Sequence, residues 1–237
     1  SKKEILKEVL RRILKLIREL IETIKKVLKR SLDLNKELID INKEALDRIL
    51  KLLTDIGLPE DVLEEIKRAV EKLKKRYEEL LKKYKEDLER IKRRLEKLKE
   101  EIERKVKKLE ELVDTISLEE VLERIDKLVE DVLRTVEEVL EELRKLNKES
   151  LDTSREMLRR IKELVKRVIE ELERAGIDKR RLKKLADELK EILDRLREKN
   201  KEIADRAKEL HDEVRERLKE IAKRLKDVLR DARERVR

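Results

Sequence analysis

Glycine occurs twice and proline once in the 237 residues of this chain. That leaves almost nothing from which to build hairpins, strands or long loops, so the chain can only run in long helices. High charge with few aromatics can also mean disorder. Here, however, 38% of the residues are apolar, mostly Leu, Ile and Val, and they recur at helical spacing between the 54% that are charged.

The few punctuating residues divide the chain into four helices. Ser1 with Glu4 forms a capping box, so the first helix can start at the N-terminus and run to about Ile56, where Gly57 supplies a left-handed stop. Pro59 suits the first turn of a second helix, its positive end favoured by Glu60 and Asp61, running to about Val113. Ser117 with Glu120 opens a third helix, closed by Ala175-Gly176, and Asp178 caps a fourth. Each helix is about 55 residues, roughly 80 Å at 1.5 Å per residue. The expected fold is all-α: a single domain over 1–237, made of hairpin one (1–116) and hairpin two (117–237). Turns this short make successive helices antiparallel. The two hairpins resemble one another when Gly57 is placed on Gly176: Ser31-Leu32-Asp33 then falls on Ser150-Leu151-Asp152.

Apolar columns seven residues apart run along each helix, as in Leu14, Ile21, Leu28, Asn35, Asn42, Ile49 and Ile56. They predict the packing of a left-handed coiled-coil bundle. The first and third helices carry wide apolar faces and are expected inside. The second and fourth, with narrower faces such as Val70, Tyr77, Tyr84 and Ile91, are expected outside. Mid-chain, these columns are interrupted by Ser31, Asn35, Asn42, Asn147, Ser150, Ser154 and Asn200, a set that includes every asparagine. A buried amide left unpaired costs about 1–3 kcal/mol. A structural polar layer that hydrogen-bonds across the bundle and fixes its register is therefore expected, with a water-filled lumen or polar binding cavity as the other reading.

Chemistry is sparse. Without cysteine there is no disulfide, thiolate nucleophile or thiolate metal site. One histidine, His211, cannot make a structural zinc site, and Lys208 stands where the Glu-x-x-His of di-iron bundles needs glutamate. Its column, with Ala204, Leu218 and Leu225, puts it at the core edge. No serine has an evident activating base, and no glycine-rich phosphate loop exists. No catalytic residue, cofactor, metal or small-molecule ligand is expected. No apolar run approaches a membrane span and no signal peptide is evident, so a soluble protein is expected, cytoplasmic in a recombinant host.

A formal charge of +9 raises the question of nucleic acid. The successive helical segments carry +5, +2, −4 and +6, with acidic residues interleaved throughout. Aromatics for base stacking are nearly absent, so specific nucleic-acid recognition is not expected. The opposite signs of the first and third helices favour their pairing.

Uniform Leu/Ile/Val cores, Lys/Arg/Glu surfaces, capping boxes, near-minimal turns and interior Asn and Ser residues together resemble de novo designed helical bundles with hydrogen-bond networks. The resemblance covers the whole chain. It implies a very stable scaffold or self-assembly building block with no natural activity, and it carries over no catalytic residues. The wide-faced helices also resemble the inner layer of designed two-layer helical oligomers. That implies the alternative: a homo-oligomeric ring, pore-like or interaction module assembled through helices one and three.

Overall fold

The computed structural model describes residues Ser1–Arg237. Four helices account for nearly all of it: α1 (Lys2–Asp55), α2 (Glu60–Leu112), α3 (Leu118–Arg174) and α4 (Lys179–Val236). The ends are where cap chemistry puts them. Ser1 Oγ accepts from the Glu4 N–H at 3.3 Å and Ser117 Oγ from the Glu120 N–H at 3.2 Å; such caps contribute about 1 kcal/mol each. Gly57 (φ 82°) and Gly176 (φ 75°) are the only residues with positive φ. At the end of α3 the Ile177 N–H donates to Leu172 O and the Gly176 N–H to Glu173 O. This paired stop uses the left-handed conformation that glycine adopts without strain.

Cross-helix ion pairs show the direction of each neighbour. Between α1 and α2, Arg18 meets Glu103 at 3.1 Å and Lys25 meets Glu96 at 4.0 Å, so one helix ascends as the other descends. Arg94–Glu138 and Arg90–Glu142 set α2 against α3, and Glu37–Arg206 with Glu19–Arg217 sets α1 against α4, in the same antiparallel sense. These pairs are exposed and contribute at most about 1 kcal/mol each.

Contacts gather the chain into two compact units, each taking a segment of every helix: the first comprises 1–30, 87–145 and 209–237, the second 31–86 and 146–208. The division cuts across the two hairpins because antiparallel helices touch sideways, at one level, whatever hairpin they belong to. The second unit has a core running from Ile39 to Leu53 on α1, Ile66 to Tyr77 on α2, Met157 to Leu172 on α3 and Leu185 to Leu196 on α4.

The burial pattern distinguishes inner from outer helices. α1 repeatedly buries neighbouring pairs, such as Val9-Leu10, Leu20-Ile21, Leu38-Ile39 and Ala45-Leu46, and α3 does so at Val121-Leu122, Leu128-Val129 and Met157-Leu158. Adjacent residues point about 100° apart on a helix, so a buried pair means that two sides are covered. No two neighbours are buried on α2, and on α4 only Val228-Leu229 are.

Along every helix the buried positions recur at 18 residues. Leu10, Leu28 and Leu46 are one such series, Ile66, Tyr84 and Ile102 another, then Ile125, Leu143 and Ile161, and Leu185, Ile203 and Ile221. Eighteen residues are five turns of 3.6, so a position and its eighteenth successor lie on the same side of a helix. Seven-residue columns drift about 20° per heptad and hold the core only locally. The column from Leu14 to Ile56 is buried from Ile21 to Ile49 and only half-buried at both ends, and on α2 Leu98 gives way to Leu88, Leu95 and Ile102.

Candidate functional site

All buried polar residues of the chain, Ser31, Asn35, Asn42, Ser150 and Ser154, lie in the second unit. Each occupies a position of the 18-residue series that is otherwise apolar: Asn35 falls between Ile17 and Leu53, Ser31 between Ile13 and Ile49, and Ser150 between Val132 and Val168. They form two groups.

In one group Asn42 (α1), Ser154 (α3) and Asn200 (α4) converge. Asn42 Nδ2 donates to Asn200 Oδ1 and to Ser154 Oγ, both at 3.2 Å. Asn200 Nδ2 returns a bond to Asn42 Oδ1 at 2.9 Å and gives its second hydrogen to Leu196 O at 2.6 Å. Ser154 Oγ donates to Asn200 Oδ1 at 3.2 Å. Every amide hydrogen of the two asparagines is thereby used.

In the other group Ser150 Oγ (α3) donates to Asn35 Oδ1 (α1) at 2.7 Å, and the Tyr84 hydroxyl (α2) donates to Asn147 Oδ1 (α3). Asn147 and Asn200 are half-buried, and the remaining members are buried. The Tyr84 hydroxyl is pushed above the ordinary phenol range by burial, a shift that the nearby Ser31 opposes. A small cavity of about 20 Å³ lies beside this group, and Asn35 Nδ2, which faces no partner, is fully enclosed.

Placing Gly57 on Gly176 sets Asn35 level with Ser154. Ser154 instead meets Asn200, with Asn42 as the third member, while Asn35 pairs with Ser150. Asn35 and Ser150 are 115 residues apart, about one helical turn less than the spacing from Gly57 to Gly176. The two glycines are therefore an imprecise ruler.

Sequence reasoning assigned no role to the tyrosines, which it placed on apolar columns. They are the only aromatic residues, seven apart, mid-α2, and that rarity was the available signal. Tyr84 joins the polar group. Tyr77 is fully buried, and its hydroxyl has no hydrogen-bonding partner in good geometry, although Ser154 lies near enough to favour its ionised form slightly. Burial dominates and pushes it above the ordinary phenol range.

In the first unit His211 is half-buried on α4 with an enclosed, unpartnered Nδ1. Burial lowers its pKa. Asp212 and Glu141 oppose that shift, and Arg215 and Arg144 add to it. No cluster of three His, Cys, Asp or Glu residues is arranged to hold a metal. No helix is long and apolar enough to cross a membrane. The larger hollows, about 420 and 560 Å³, are grooves between α1 and α4, each lined by both acidic and basic side chains. The arrangement can hydrogen-bond and position helices; it presents no nucleophile–base pair. No protein-family model, curated protein or solved structure matches the chain.

Proposed function

We propose that this chain is a self-contained structural scaffold of designed origin, whose mid-bundle asparagines, serines and Tyr84 form a hydrogen-bond network that specifies how the four helices pair. The carrying observation is that the wide apolar faces of α1 and α3 are covered within one chain, and every large hydrophobic side chain is buried or half-buried. A ring assembled through α1 and α3 would need those faces free. Contiguous exposed apolar surface, the usual mark of an obligate interface, is not offered.

The 18-residue repetition supports the designed reading. A repeat of five whole turns lets one set of core side chains be reused along a helix, and the buried asparagines and serines interrupt it. The reading assigns no catalytic step, cofactor or specific nucleic-acid partner.

Light scattering coupled to size-exclusion chromatography tests this at two salt concentrations. A mass near 28.7 kDa is expected at both. An integral multiple would overturn the self-contained scaffold and bring back the oligomeric ring or interaction module.

A further inference from the structure

Ala207 departs from the α4 repeat in size, not polarity. The same position eighteen residues to either side holds Leu189 and Leu225, both fully buried. Where they place an isopropyl group, Ala207 leaves part of the wall of the small cavity. The cavity is about 20 Å³ and is also lined by Ser31, Asn35, Tyr84, Asn147 and Ser150. Asn35 is 5% exposed, and its Nδ2 is enclosed without a partner. Turning the amide over does not help. Nδ2 would then face Ser150, and Oδ1 would become the orphan.

We infer that this cavity is a binding site for a single water molecule, which accepts a hydrogen bond from Asn35 and donates to the hydroxyl and amide oxygens around it. Size and chemistry agree. A water needs about 10–15 Å³ and two to four polar partners. Buried polar groups of natural interiors are satisfied by such waters when side chains cannot reach. The small residue of α4 thus makes room at the level where α1 presents an unspent donor. This goes beyond the scaffold reading and does not depend on it.

The test is ¹⁷O magnetic relaxation dispersion on the intact chain, which detects long-lived waters without interference from hydroxyl proton exchange. Ala207→Leu restores the side chain that the repeat carries elsewhere, and it is expected to remove one long-lived water while helical circular dichroism is unchanged. Asn35→Leu, which leaves the space but removes the donor, is expected to show the same loss, and it decides the matter if Ala207→Leu does not fold. An unchanged dispersion amplitude in the folded variants, or no long-lived water in the parent chain, overturns the inference.

Discussion

The two units use segments of the same four helices and the same 18-residue spacing, yet only the second has polar groups among its buried side chains. In the first unit Leu10, Ile13, Ile17 and Leu20 of α1 pack in an unbroken apolar run; in the second, α1 buries Ser31 and Asn35 before Leu38. A uniform apolar core is strong but indiscriminate. It accepts the mirror arrangement, with α2 and α4 exchanged, about as well as the native one. In the second unit α4 supplies Asn200 to Asn42 and Ser154, while α2 supplies Tyr84 to Asn147. Exchanging those helices would orphan both sets, at about 1–3 kcal/mol for each buried group left unpaired.

The largest expected effect comes from truncating the same repeat position in each unit. Leu10 and Leu46 are both fully buried, and Leu10→Ala and Leu46→Ala should each cost about 2–5 kcal/mol. Native-state hydrogen exchange sharpens the contrast. Leu46→Ala should let the amides of the second unit exchange ahead of global unfolding, whereas Leu10→Ala should leave that order weaker or absent. Identical exchange patterns in the two variants would mean that the polar groups do not make the second unit the weaker one.

Next come the polar groups. Asn42→Leu alone leaves Asn200 and Ser154 without their partner and should cost about 1–3 kcal/mol in urea denaturation. The triple replacement Asn42→Leu/Ser154→Val/Asn200→Leu, which copies the apolar pattern of the other repeats, should recover that loss and match or exceed the parent. If the triple variant fails to fold, those side chains do more than specify pairing. A smaller effect separates the tyrosines. Tyr77→Phe removes a hydroxyl with no partner and should stabilise by about 1 kcal/mol, whereas Tyr84→Phe breaks the bond to Asn147 and should destabilise by about as much. Equal effects of the same sign would end the distinction.

The helices and their ends were legible because few residues could punctuate this chain and each did so by a local mechanism. Gly57, Pro59, Ser117 and Gly176 all sit at helix boundaries. The inner position of α1 and α3 was legible from face width. The core period was harder to read. Seven and 3.6 agree for two or three heptads before the drift of about 20° per heptad tells them apart, so Leu14 was placed in a column that it leaves. Individual hydrogen-bond partners were also illegible: α1 and α3 are separated by all of α2, and a stagger of one turn decides whether Asn35 meets Ser150 or Ser154. Tyr84 and Ala207 were overlooked because each suits an apolar column by type. Their departure shows only against Ile66 and Ile102, or Leu189 and Leu225.

The first unit has its own departure from the repeat, and it yields the smallest effect. His211 stands where the positions eighteen residues away hold Leu193 and Leu229. It faces Glu141 and Arg144 of α3, with Asp212 and Arg215 beside it on α4. Protonation would place charge, and a donor at the enclosed Nδ1, where no acceptor waits, so burial holds the folded-state pKa below the ordinary imidazole value of 6.5. As pH falls through that value the unfolded chain takes up the proton first. The stability is therefore full above about 6.5 and declines as pH drops towards the folded-state pKa. His211→Leu should flatten that decline while leaving the carboxylate-driven loss at lower pH common to both proteins. Urea midpoints of the two at about pH 5 and about pH 7.5 provide the check. A decline that survives the substitution would assign it to other groups and leave His211 a bystander at the core edge.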